Sequence, residues 1–183
     1  SVIALGINQE FKMSHKKNKR CIMMVELNEV NFDYVNKYVK NGELPTFKSL
    51  IEKHGIIETT TGETLTDLEL QPWIQWPTLR TGVPYSEHKI FEQGNAAFSD
   101  LKQIWEILEE KYDITVGAIS PMNARNNTKK SPFFVPDPWT HTPASGTGTL
   151  QRLGKALAQI VNDNAEAKIT KKSLFALAEA AIR

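Results

Sequence analysis

Short apolar runs alternate with amphipathic stretches along this chain, and that alternation limits the folds open to it. The clearest run, CIMMV at 21–25, is followed at once by the polar residue Glu26. Apolar residues then recur at helical spacing over 30–41 and again from Pro45 onward. Strands that alternate with helices of about 10–15 residues are typical of βαβ units. We therefore predict an α/β fold with a parallel-rich sheet flanked by helices.

Further elements continue the pattern. We expect strands over 56–61 and 113–119, and helices over 101–111, 150–161 and 170–183, with Asp100 capping the first of these helices. The stretch 121–149 is rich in Asn, Pro, Ser, Thr and Gly. A loop of that length predicts a functional lid or a covering insertion.

Composition excludes several classes of protein. Apolar residues make up 40% of the chain and its net charge is +1. It therefore has the material for a core, and it lacks the basic field of a nucleic-acid binder. Its longest apolar run is about five residues, whereas a membrane helix needs about 20. The lone Cys21 excludes a disulfide scaffold and predicts a cytoplasmic protein.

The two ends of the chain bear on its domain organisation. Residues 1–20 hold a short basic segment after Met13, and we place them outside the fold as a disordered or extraneous segment. Residues 21–183 then form one α/β domain. No stop signal follows the helix predicted over 170–183, which indicates a partial domain with more protein beyond it.

An ordered set of motifs carries a family resemblance. A strand ending in Glu26 is followed by GELPTFKSL at 42–50 and by QPWIQWPTLRTGVPYSEH at 71–88. This order resembles the N-terminal part of the alkaline-phosphatase superfamily, which includes phosphodiesterases, nucleotide pyrophosphatases and sulfatases. SPMNA at 120–124 and FVPDPW at 134–139 are similar to a bacterial subgroup of it. The resemblance covers most of 21–150 and implies an incomplete alkaline-phosphatase-like core.

The resemblance implies a metal-dependent hydrolase. Its members hold two divalent ions, often zinc, and hydrolyse phosphate or sulfate esters. It therefore implies a phosphate- or sulfate-bearing small molecule or glycan as substrate, whereas the charge and the short apolar runs described above predict neither a nucleic-acid nor a membrane partner. It also places Glu26 at the first acidic metal ligand, where the family usually has Asp. The alternative for Glu26 is a solvated or helix-capping carboxylate.

The nucleophile of the family has no direct counterpart here. Its position falls on Pro72, so that Thr78 is the nearest hydroxyl inside the motif and Thr66 lies before it. Thr78 is the candidate nucleophile. Alternatively, Thr78 packs or bonds a backbone carbonyl one turn earlier, and a metal-bound water attacks instead.

Asp137 and His141 are the remaining candidate metal ligands. Their i, i+4 spacing places both on one face of a helix, and the family uses such a pair on metal. Asp137 reads equally well as an N-cap, with Pro138 at the first helical position. We take His88 as structural.

Other interpretations stay open. A non-catalytic descendant of the same fold would bind a glycan, a nucleotide or a protein. An unrelated nucleotide-binding domain is less supported, because the chain has no Gly-rich phosphate loop. Trp73 and Trp76 lie three residues apart, and they either pack in the core or stack on a sugar or base. The unpaired edge of an incomplete sheet predicts a homo-oligomer.

Overall fold

The structure is a computed structural model that describes residues 3–7, 21–61, 70–163 and 169–182. The protein is a mixed α/β chain, and its contacts divide it into two compact units, Ser1–Thr61 and Gly62–Arg183. Each unit is described by itself below.

The first unit combines a β-ribbon with two helices. Strands β1 (Ile3–Ile7) and β2 (Met23–Leu27) pair antiparallel, with Ile3 opposite Leu27. The apolar run at 21–25 was expected to form a buried strand of a parallel sheet, but β2 pairs antiparallel and its Met23 and Met24 side chains are exposed. Residues 1–20 were placed outside the fold, yet Ile3–Ile7 forms β1. The rest of that segment lies outside the described residues.

Helices α1 (Phe32–Lys40) and α2 (Pro45–His54) lie in the two stretches of helical spacing, the first within 30–41 and the second starting at Pro45 as predicted. The Asn31 side chain caps α1 by accepting hydrogen bonds from two backbone N–H groups of its first turn. Pro45 opens α2 at the first helical position, where the missing N–H costs nothing. The strand predicted over 56–61 is absent from the described residues. In the part of the chain that the structure describes, no strand pairs with its β-branched residues, and β-propensity depends on such neighbours.

The second unit starts with helices α3 (Pro72–Thr81), α4 (Tyr85–His88) and α5 (Ile104–Tyr112), with a 3₁₀ turn at Asn95–Phe98 between the last two. Asp100 is not the cap of α5. Gln103 takes that position, and the Glu106 carboxylate accepts a hydrogen bond from the Gln103 N–H. The N-terminus of α5 is therefore capped three residues later in the sequence than predicted.

A short parallel pair and a small apolar cluster form the centre of this unit. Strands β3 (Ala118–Ile119) and β4 (Phe134–Val135) pair in parallel, so the strand predicted over 113–119 is real only at its end. Trp105 meets the Phe134 ring edge to face at 5.4 Å, and Ala124 completes the buried cluster. The predicted loop over 121–149 thus contributes a strand and core residues.

Helices α6 (Gly148–Asn162) and α7 (Lys171–Ile182) pack against each other. Both helices were predicted, but their buried residues are not the large apolar ones that helical spacing indicated, such as Leu153 and Leu157 on α6 and Leu174 and Leu177 on α7. The buried residues are small, namely Thr149, Gly154 and Ala156 on α6, and Ser173 and Ala176 on α7. A Cβ atom at Gly154 would lie 3.1 Å from the Ala144 methyl carbon, so a larger residue there would require Ala144 to shift by a few tenths of an ångström.

Candidate functional site

Asn123 is a buried side chain of the second unit that makes four hydrogen bonds to backbone groups. It is fully buried, and its φ of 50° is one that Asn tolerates better than most residues. Its Oδ1 accepts hydrogen bonds from the Gly94 N–H at 2.9 Å and the Ala96 N–H at 3.1 Å. Its Nδ2 donates to the Trp73 carbonyl at 2.6 Å and the Glu92 carbonyl at 3.3 Å. One amide therefore joins its own loop to two other stretches of backbone, at Trp73 and at 92–96.

The bond to Trp73 follows from a proline inside α3. Pro77 has no N–H, and it stands four residues after Trp73 in the helix. The Trp73 carbonyl therefore lacks its ordinary intrahelical donor. Asn123 supplies that donor from a loop 50 residues away, and the buried carbonyl is satisfied.

Asp137 stabilises the loop that contains Asn123. Its carboxylate is buried and accepts hydrogen bonds from the Asn123 N–H at 2.9 Å, the Trp139 N–H at 3.0 Å and the Thr140 hydroxyl. These contacts hold a single turn over 137–140 in place of a helix. The i, i+4 spacing of Asp137 and His141 therefore does not put them on one helical face. His141 is exposed, and a metal role for either residue stays a prediction.

Thr78 takes part in a hydrogen-bond chain inside the second unit. Its hydroxyl lies 3.2 Å from the Ile74 carbonyl and 2.9 Å from His88 Nε2. His88 Nδ1 accepts a hydrogen bond from the Ile90 N–H at 2.9 Å. The neutral ring therefore carries its proton on Nε2 and donates to Thr78, while Thr78 donates to Ile74. In this tautomer the imidazole is not a base toward Thr78, and the nucleophile stays a prediction.

Glu26 lies in the first unit, so it is described apart from the other three candidates. It is half-buried and is the fourth of the five residues of β2. A turn with a positive φ at Glu29 leads from β2 to α1. A shallow depression of about 460 Å³ lies at this turn, lined by Glu29, Val30, Asn31, Phe32 and Asp33. The sequence correctly placed a carboxylate near the carboxyl end of a strand.

Sequence reasoning missed the environment of Arg80. This side chain is only 2% exposed, and its guanidinium carbon lies 5.4 Å from the ring centroids of both Trp76 and Trp105. It also donates to the Met122 carbonyl. The i, i+4 spacing of Trp76 and Arg80 on one helix was the available signal. Of the two candidate stacking residues, Trp76 is a core residue, whereas Trp73 is half-buried.

Among the residues that the structure describes, no group of three or more His, Cys, Asp or Glu side chains is placed to hold a metal ion. Nor is any helix in that part of the chain long and apolar enough to span a bilayer. Comparisons with protein-family models, with curated proteins and with solved structures find no match to this chain. The family resemblance therefore rests on the motifs alone.

Proposed function

We propose that this chain carries part of an alkaline-phosphatase-like site, which hydrolyses a phosphate or sulfate ester of a small molecule or glycan with the help of divalent metal. The observation that supports it is the position of Glu26 near the carboxyl end of β2, directly before the turn into α1. A strand holds such a carboxylate in a defined direction. The resemblance assigns the first acidic metal ligand to this residue.

Carboxylate oxygen is a ligand type that zinc and other divalent ions accept, so Glu26 fits the proposed role by its chemistry. When bound, the metal would polarise the ester and activate a nucleophile. In this proposal Glu26 binds that ion. Thr78 would need a new proton acceptor before it could attack, because its proton is directed to the Ile74 carbonyl.

A second candidate function is supported by a different observation. The Asp137 carboxylate and the Thr78 hydroxyl both make internal hydrogen bonds that shape the second unit. Side chains used in this way suit a non-catalytic descendant of the fold. Such a protein would bind a ligand or a protein without cleaving it.

Metal titration and ester hydrolysis on the full chain test the proposal. After dialysis against a chelator, the protein is titrated with Zn²⁺ and Mn²⁺ by calorimetry and assayed with p-nitrophenyl phosphate, bis(p-nitrophenyl) phosphate and p-nitrophenyl sulfate. We expect saturable metal binding and hydrolysis of at least one ester. Glu26→Gln should weaken metal binding by about tenfold or more and abolish the hydrolysis, because it removes an anionic ligand.

Glu58→Gln is the matched control, because Glu58 is an exposed carboxylate of the same unit. It should leave both measurements unchanged. A folded wild-type chain that binds neither ion and hydrolyses none of the esters would overturn the proposal in favour of the non-catalytic candidate. Equal losses in both variants would also overturn the assignment of Glu26.

A further inference from the structure

Helix α7 presents an apolar surface to the outside. Five residues, all exposed, form this surface, which we call the α7 stripe: Leu174, Phe175, Ala178, Ala181 and Ile182. The exposed fractions of the three large side chains are 53% for Leu174, 80% for Phe175 and 86% for Ile182. Glu179, the charged residue between Leu174 and Ile182, is not part of the stripe and accepts hydrogen bonds from Arg152 of α6.

The distribution of side chains on α7 is the reverse of that on an ordinary surface helix. Its buried face, against α6, consists of small residues such as Ser173 and Ala176. A helix that faces water normally buries its large apolar side chains and exposes polar ones. Water contact with Phe175 and Ile182 is therefore unfavourable, and covering the stripe would be favourable.

The order of residues along the stripe is symmetric about Ala178. Leu174 and Ile182 lie four residues before and after it, and Phe175 and Ala181 lie three residues before and after it. Two such stripes placed antiparallel, with Ala178 at the centre, oppose Leu174 to Ile182 and Phe175 to Ala181. A large side chain then faces a small one at the inner positions. A two-fold axis requires this kind of self-complementary surface.

The charges of α7 favour the same orientation. Lys171 and Lys172 stand at its first turn. In an antiparallel pair, a rise of about 1.5 Å per residue places Lys171 about 4–5 Å beyond Ile182 of the second copy. That position lies beside the C-terminal carbonyls of a helix, which attract a cation, and near Arg183 of the sequence, which repels one. A parallel pair would instead bring the lysines of both copies together.

From the symmetry of the stripe and its charges, we propose that α7 is a dimerisation helix that pairs antiparallel with α7 of a second copy of this chain. One helix face buries less than the roughly 800 Å² per partner of a standard interface. The dimer should therefore dissociate on dilution, so that its population depends on protein concentration.

A cysteine placed at the symmetry centre tests the geometry. In a Cys21→Ser background, Ala178→Cys should form a disulfide-linked dimer on mild oxidation. Two helices that meet at a small residue have axes about 8 Å apart. The two Cα atoms at the centre then lie within the roughly 4–7 Å that a disulfide spans. Lys172→Cys is the matched control, since it is exposed on the same helix. Its two copies would lie about 18 Å apart along the axis, and it should form no disulfide-linked dimer.

Sedimentation equilibrium of the full chain gives an independent measurement. The wild-type chain should show a monomer–dimer equilibrium, and Phe175→Asp should raise its dissociation constant by about tenfold or more, because it buries an unpaired charge. Far-ultraviolet circular dichroism should show unchanged helix content. A wild-type chain that stays monomeric at every concentration overturns the proposal. A dimer that persists with Phe175→Asp overturns it as well, and would point to a sheet edge as the interface.

Discussion

The two units of this protein are stabilised in different ways. Between residues 21 and 61, Val35 is the one side chain that the structure buries, and the helices there begin and end with local devices such as Asn31 and Pro45. In the second unit, Asn123 and Asp137 are buried and join segments that are far apart in sequence. Local signals therefore define the first unit, whereas long-range polar contacts define the second.

Replacing Asn123 should have the largest effect on stability, and this effect should be confined to the second unit. We expect Asn123→Ala to lower the free energy of unfolding of the second unit by about 3–5 kcal/mol, because it leaves buried N–H and C=O groups of Gly94, Ala96 and Trp73 without partners. All four tryptophans lie in the second unit. Their fluorescence during urea unfolding therefore follows that unit alone.

Asn127→Ala is the control for this measurement, because Asn127 is exposed in the same loop. It should change the free energy of unfolding by about 0.5 kcal/mol or less. Equal urea midpoints for the two variants would show that the Asn123 contacts do not hold the second unit together.

A smaller and more local effect is expected from the cap of α1. Asn31→Ala removes the acceptor for the Asp33 and Tyr34 N–H groups and should destabilise α1 by about 1 kcal/mol. Amide hydrogen exchange should quicken in α1, while the tryptophan-detected transition stays in place. Asn31→Asp keeps the cap and should exchange like the wild type. A matching shift of the tryptophan transition in Asn31→Ala would contradict the separation of the two units.

The smallest effect is expected at an exposed ion pair of the second unit. Lys102 donates to the Glu110 carboxylate at 2.6 Å, and this hydrogen bond holds the pKa of Glu110 below its ordinary value. Because the pKa of Glu110 is lower in the folded protein than in the unfolded chain, where it is near 4.3, the ion pair stabilises the fold above that pH. This stabilisation is lost as the pH falls through the folded-state pKa. Lys102→Met should lower Tm slightly at pH 7 and leave it unchanged near pH 2.

Differential scanning calorimetry at both pH values checks this, with Lys155→Met as the exposed control. A Tm difference of the same size at both pH values would rule out the ion pair as its cause.

Sequence reasoning was most successful where the signal is local. The helix at Pro45–His54 follows from a proline at its start and Gly55 after its end. It was weaker where the outcome depends on a distant partner. Nothing near 21–25 in the sequence shows that β2 pairs antiparallel with Ile3–Ile7.

The candidate site shows the same limit. The i, i+4 spacing of Asp137 and His141 suggested a helix, but the Asn123 N–H and the Thr140 hydroxyl hold Asp137 in a single turn. The importance of Asn123 could not be predicted from its own neighbours. Asn123 is needed because Pro77 leaves the Trp73 carbonyl without its helical donor. That effect can be recognised only when α3 is known to continue through Pro77.

The proline inside α3 also has a consequence for how this sequence can change over time. Pro77 creates an unfilled acceptor, and Asn123 fills it from another part of the chain. A residue with an N–H at position 77 would let the helix satisfy Trp73 itself, and would relieve Asn123 of one of its bonds. The effects of substitutions at the two positions should therefore be non-additive. Positions 77 and 123 are accordingly expected to covary among related sequences.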